Sequence, residues 1–246
     1  MRIAFFADIH ANREAFEACL QAADQRGHDL KVILGDVVGY GADPQWCTQK
    51  VRELQQKGAV VLRGNHDAAL SEGTEHMNDT ARAAIEWTAR QLSAQDQDYL
   101  TTLPLQHRDA ERLYVHANAW APALWDYING AREAERSMRL TDAQITFCGH
   151  THVPKLYYMT PKRPAAEFTP LAGKAVPLSP LRQYLIVVGS VGQPRDAHPA
   201  AGWGLYDTAK RDYVQYRVSY DIEAAAQKIK QAGLPERLAK RLFVGG

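Results

Sequence analysis

Within its first 62 residues the chain alternates short apolar runs with amphipathic stretches, and that alternation leaves few folds open. Ile3 to Ala7 is apolar throughout, the pattern of a strand buried on both faces. Asn12 then stands as an N-cap, and Ala15, Phe16, Cys19, Leu20 and Ala23 share one helical face up to Gly27. Leu30 to Leu34 is a second apolar run. Asp43-Pro44 reads as an N-cap followed by a first-turn proline. Trp46, Val51 and Leu54 give that helix its buried face, and Gly58 closes it. Ala59 to Leu62 is a third run. The order βαβαβ predicts a parallel sheet with right-handed crossovers.

Helical stretches over about 79–92 and 93–103 follow, the second stopped by Pro104, and Leu113 to His116 and Ile145 to Cys148 are further short apolar strands. After His152 the pattern changes. Tyr157-Tyr158, Tyr184 to Val188, Trp203 to Tyr206 and Tyr213 to Val218 read as strands with little helix between them. That predicts a second, largely antiparallel sheet. Pro161, Pro164, Pro170, Pro177 and Pro180 mark residues 160–180 as an exposed loop or loose hairpin. Asp221 caps a helix through Ala232, and a short helix follows Gly233-Leu234-Pro235. No internal repeat or low-complexity tract interrupts the 246 residues, which read as one domain, 1–246.

Composition matters chiefly for what it excludes. With 46% hydrophobic and 23% charged residues the chain is neither disordered nor fibrous. Its 29 basic and 28 acidic residues leave a net charge of +1, no signal for nucleic acid or acidic lipid. Cys19, Cys47 and Cys148 form no C-x-x-C pair, as expected of free thiols in a reducing compartment. The first apolar run ends at Asp8, too short for a signal-peptide core, and no stretch approaches the ~18 apolar residues of a membrane span. These features predict a cytoplasmic protein.

The informative fact is where the ligand-type residues fall. Five apolar runs each end in metal-ligand chemistry: Asp8-Ile9-His10, Gly35-Asp36, Gly64-Asn65-His66-Asp67, His116, and Gly149-His150-Thr151-His152. Ligands of parallel α/β sheets bind beyond the carboxyl ends of strands, so one shared sheet would gather all five tips at one edge. In Asp8-x-His10 and His150-x-His152, residues two apart on an extended chain face the same way. Asp, Asn and His suit Mn²⁺, Zn²⁺ or Fe, and no thiolate is involved. Seven such residues are too many for one tetrahedral ion and about right for two ions sharing a carboxylate. Taken singly, each motif has a plainer explanation: a turn at Gly35-Asp36, a core histidine at His116, a cap or turn at Asp8-x-His10. Jointly, five coincidences would be needed.

This series, in this order over residues 3–152, resembles the calcineurin-like metallophosphoesterases. The segments Gly35 to Gly41 (G-D-x-V-G-Y-G) and Gly189 to Asp196 (G-S-V-G-Q-P-R-D), with Tyr220-Asp221-Ile222 and Gly233-Leu234-Pro235, are similar to one bacterial branch. The resemblance implies an α/β fold, a four-layer αββα sandwich of two mixed β-sheets flanked by helices. It also implies two divalent metal ions, Mn²⁺ foremost, with Fe, Zn or Ni as alternatives. Asp8, His10, Asp36 and His152 would hold one. Asp36, Asn65, His116 and His150 would hold the other, Asp36 bridging. His66 would stand outside the ligands, near the leaving group.

The implied activity is hydrolysis of a phosphodiester or phosphomonoester by attack of a hydroxide bridging the ions. His66 would be the general acid, with Asp67 orienting it or serving only as a helix cap. The substrate expected is a small phosphorylated molecule; the oligomeric state stays open. Relatives acting on phosphoproteins or dinucleoside tetraphosphates carry G-D-x-x-D-R-G, whose arginine is here Tyr40. That departure speaks against a phosphoprotein substrate and for a diester at least as good as a monoester. A non-catalytic scaffold of the same fold would be expected to have lost ligands or His66, and this chain keeps them. A nuclease fits poorly with the even charge balance. In Gly189 to Asp196, two glycines and Ser190 permit a turn whose N–H groups could face an anion, with Arg195 reaching the phosphate beside Asn65; a purely structural Arg195–Asp196 turn is the alternative. The Pro-rich stretch 160–180 could form part of the same rim.

Overall fold

A computed structural model describes residues 1–246. In chain order the elements are β1 (Arg2–Phe6), α1 (Arg13–Arg26), β2 (Leu30–Ile33), α2 (Pro44–Gln56), β3 (Val60–Val61), α3 (Asn65–Glu72), α4 (Asp79–Gln91) and α5 (Ala94–Thr101). Next come β4 (Gln106–Asp109), β5 (Arg112–Val115), a 3₁₀ turn at Pro122–Leu124, α6 (Ala131–Arg139), β6 (Ile145–Cys148), β7 (Lys155–Thr160) and β8 (Arg163–Phe168). The chain ends with β9 (Ala175–Pro177), β10 (Gln183–Val187), β11 (Ala201–Asp207), β12 (Asp212–Val218), α7 (Ile222–Gln231) and α8 (Glu236–Val244).

The strands form two six-stranded sheets, ordered β3-β2-β1-β11-β12-β9 and β4-β5-β6-β10-β7-β8. In the first, β1, β2 and β3 are parallel and β11 runs antiparallel to β1. In the second, β5, β6 and β10 are parallel, while β4 and β7 are antiparallel to their neighbours. Both sheets are therefore mixed. This corrects the expected division into a parallel half and an antiparallel half: β7 and β10 join one sheet, β11 and β12 the other. Strand alternation is the same whichever sheet a strand enters, so it does not name the partner.

The alternation does explain the layers. Ile3, Phe5 and Ala7 point between the sheets, where Phe5 stacks on Phe147 with ring centroids 4.0 Å apart. Ala4 and Phe6 point the other way, onto Phe16 and Cys19 of α1 and Cys47 and Val51 of α2. On the far face Val115, Cys148 and Leu185 pack on Ala134 and Met138 of α6. Helix, sheet, sheet, helix is the αββα sandwich. Fully burying a side chain such as Phe5 stabilises by about 1.5–3 kcal/mol. The three cysteines are buried and free. No helix is long and apolar enough to cross a membrane.

The local capping signals behave unevenly. Asn12 accepts from the Ala15 N–H and Asp221 from the Ala224 N–H, as expected of N-caps. Asp43 makes no such bond; its carboxylate pairs instead with Lys228 of α7 at 2.8 Å. Of the two readings of the Pro-rich stretch the hairpin holds: it contains β8, paired antiparallel with β7, and β9, paired with β12, so it carries the chain from the outer edge of one sheet to that of the other. Helices α3 and α6 and strand β4 have no counterpart in the sequence reading.

Candidate metal centre

The ligand-bearing tips come from both sheets, not from one. Asp8 and His10 follow β1, Asp36 follows β2, and Asn65 opens α3 after β3; His116 follows β5 and His150 and His152 follow β6. Nor are the exits extended. Asp8, His10, Asp36, His150 and His152 all have φ between 50° and 67°, in the left-handed region. Each such non-glycine residue costs about 1–3 kcal/mol and persists where its surroundings over-determine it. The i and i+2 side chains do face one site, but through kinks rather than through strand alternation.

The kinks are pinned by the backbone. The N–H groups of His10 and Ala11 donate to the carbonyls of Asp36 and Val37. The Asp8 carboxylate accepts from the His150 N–H at 3.0 Å, and Asp36 Oδ1 accepts from the His66 N–H at 2.8 Å. Gly149 and Gly64 lie against these two carboxylates, where any Cβ would collide.

Donor atoms of Asp8, His10, Asp36 and His152 all lie within 4.8 Å of one another, as do those of Asp36, His116 and His150. Asp36 belongs to both groups: its Oδ2 is 3.5 Å from His10 Nε2 and 3.5 Å from His116 Nε2. Asn65 Oδ1 joins the second group, 3.1 Å from His116 Nε2. The structure thus brings together all seven residues singled out above.

The ring nitrogens bear on whether a cation fits. His10 Nδ1–H donates to the Val38 carbonyl at 3.1 Å and His152 Nδ1–H to the Gln193 carbonyl at 2.6 Å. Their Nε2 atoms therefore both carry lone pairs, yet they face each other at 3.1 Å. Burial holds His10 well below the ordinary histidine range. In the second group His116 Nδ1–H donates to the Leu34 carbonyl at 2.8 Å, and its Nε2 faces His150 Nδ1 at 3.2 Å. Burial works against charge on His116, but Asp36 outweighs it and raises the ring to about 9. Burial also opposes charge on Asp36, and His116 and His66 overcome it, holding that carboxyl well below its usual range. His150 Nε2 is buried without a partner. Buried lone pairs directed at one another, as on His10 and His152, are compensated by a positive ion, and the Asp/His/Asn set suits a first-row divalent metal.

His66 sits beside this cluster, not in it. Its ring is 4.8 Å from that of His10, and its Nδ1 is buried without a partner. Burial lowers its pKa to about 4. Asp67 does not orient His66: its carboxylate accepts from the N–H groups of Val37, Val38 and Gly64, tying the turn after β2 to the start of α3. Burial, then the charge of Asp36, pushes Asp67 up to about 7.

The Gly189 to Asp196 turn differs from expectation as well. Four of its N–H groups are already used, Val191 on Ala7, Gly192 on Asp8, Arg195 on His152 and Gln193 on Ser190 Oγ. Those four do not face an anion; they clamp the exits of β1 and β6. Arg195 lies over the Tyr40 ring, 5.6 Å from its centroid. Tyr40 in turn packs 4.5 Å from both His10 and His66.

Next to the cluster is a cavity of about 550 Å³, lined by Tyr40, Asn65, His66, Trp125, Tyr127 and His150 among others. Tyr127 stacks on His150 at 3.9 Å. Neither Trp125 nor Tyr127 was legible beforehand, because residues 118–130 show no periodicity and no ligand-type spacing. His76, which matches none of the motifs, also lines this cavity.

Fold and donor cluster together are those of the phosphoesterase class of hydrolases. A family model described as the calcineurin-like phosphoesterase superfamily domain matches residues 1–211, and the chain belongs to that superfamily. It is similar to a metallophosphoesterase from Sphaerobacter thermophilus, 36% identical, with TM-score 0.87 and 100% of this chain and 99% of that one covered. An uncharacterized protein of Methanocaldococcus jannaschii, MJ0912, is 33% identical over 99% of this chain and 98% of its own length. Phosphodiesterase YfcE of Escherichia coli is 30% identical over 89 residues, 33% of this chain and 48% of that protein.

Proposed function

We propose that this protein hydrolyses a phosphodiester of a small molecule with two divalent ions, Mn²⁺ foremost. The observation that carries the reading is Asp36 Oδ2, 3.5 Å from a histidine of each donor group. Asp8, His10, Asp36 and His152 would hold one ion, and Asp36, Asn65, His116 and His150 the other. When bound, such a pair of ions activates water near neutral pH and offsets charge on phosphoryl oxygens. The similarity to a protein named a phosphodiesterase supports the same reading.

The chain's own residues supply the rest. With a pKa near 4, His66 is neutral in the free site, and an anionic phosphate beside it raises that value. His66, which lines the cavity, would be the proton donor to the leaving oxygen. Tyr40, packed on His10 and His66, fixes both rings. The adjacent cavity takes the leaving group. Arg195 and Asn65 would be the side chains that meet phosphoryl oxygens of the substrate. Tyr40 stands where related phosphatases keep an arginine, so the cation those sites carry at that position is absent here. A monoester dianion needs more positive charge than a diester monoanion. With Mn²⁺ present, bis-p-nitrophenyl phosphate should be cleaved at least as fast as p-nitrophenyl phosphate. A strong preference for the monoester would overturn the diester assignment.

A further inference from the structure

Arg195 does not stand alone. Arg241, on α8, reaches the same acceptor: Arg195 Nη2 donates to Gln193 Oε1 at 3.0 Å and Arg241 Nη1 to the same oxygen at 3.3 Å. A guanidinium has five N–H donors, and each of these two spends one on this neutral oxygen. The Nε of each is buried without a partner. Neither arginine forms an ion pair. The neighbouring carboxylate, Asp196, is taken by Arg217. Arg237 adds a third positive charge close enough to act on Arg241. Two half-buried guanidinium groups sharing one amide oxygen, with no carboxylate between them, are poorly compensated.

The pair is also coupled to the metal centre. Arg195 lies over Tyr40, whose ring contacts His10 and His66, and the Gln193 that holds both arginines gives its carbonyl to His152. The chain end is tied in too, since the Ala197 N–H donates to the Gly245 carbonyl just past α8.

We infer that Arg195 and Arg241 form an anion subsite beside the metal centre, which takes a second phosphoryl group of the substrate. The substrate class is then a phosphoester carrying two phosphoryl groups, such as a nucleoside diphosphate moiety. Planar forks of this kind bind phosphate oxygens in pairs, as lysine cannot. The inference rests on the phosphoesterase reading above, but its test does not depend on turnover.

The test uses the full-length, Mn²⁺-loaded protein with free Mn²⁺ held constant. ADP and AMP are titrated calorimetrically and as inhibitors of bis-p-nitrophenyl phosphate hydrolysis. ADP should bind about ten-fold or more tighter than AMP, and Arg241→Gln should bring that ratio close to one, with Arg241→Lys between. Thermal unfolding of Arg241→Gln serves as the structural control. No preference for ADP in the parent, or a preference that survives Arg241→Gln, overturns the subsite. If no ester is hydrolysed, the activity reading fails while calorimetry still decides the subsite.

Discussion

At the scale of single residues, some side chains of the centre hold charge and others only hold shape. His66 and Asp67 are neighbours with different work. His66 has an unpartnered nitrogen at the edge of the cluster, whereas Asp67 spends its carboxylate on three backbone N–H groups. His66→Ala should therefore keep full metal content, measured by elemental analysis. It should lose about 10²–10⁴-fold in rate on a substrate with a poor leaving group. A loss of metal would instead make His66 a ligand. The ligand-type residues were legible because Asp, Asn and His after five apolar runs are hard to explain singly. The left-handed kinks at Asp8, His10, Asp36, His150 and His152 were not legible, since none of these is a glycine. Arg241 was invisible for another reason: it lies 46 positions after Arg195, on a helix whose sequence reports only its own buried face.

At the scale of elements, the turn after β10 does most to assemble the centre. Ser190 is fully buried; its Oγ donates to the Asp8 carbonyl at 2.9 Å and accepts from the Gln193 N–H at 2.9 Å. Ser190→Ala leaves both groups without that partner, at a cost of about 1–3 kcal/mol. Denaturant unfolding should show this loss, and the variant should also bind Mn²⁺ more weakly, because the same turn positions Asp8 and His152. Unchanged stability together with unchanged Mn²⁺ affinity would mean the turn is a passive connection. The glycine pattern of this segment was visible in the sequence and suggested an anion cradle. Not legible was that three of its N–H groups go to Ala7, Asp8 and His152, partners distant in sequence.

At the scale of the molecule, two mixed sheets stacked on Phe5, Phe147, Tyr206 and Tyr213 bring the ends of β1, β2 and β3 against those of β5 and β6. The strands themselves were mostly legible from apolar runs. Their division between sheets was not, because β11 pairs with β1 across some 200 residues of intervening chain. Here Gly204 matters: Tyr213 packs across it, and any side chain there would collide with the phenol. The stacked sheets make one shared site out of two half-sites, joined at Asp36. The most direct test is to strip the protein of metal and titrate Mn²⁺ while following bis-p-nitrophenyl phosphate hydrolysis. A centre joined at Asp36 predicts activity that rises to a plateau at two ions per chain. A plateau at one ion, or no hydrolysis at any ratio, would contradict it.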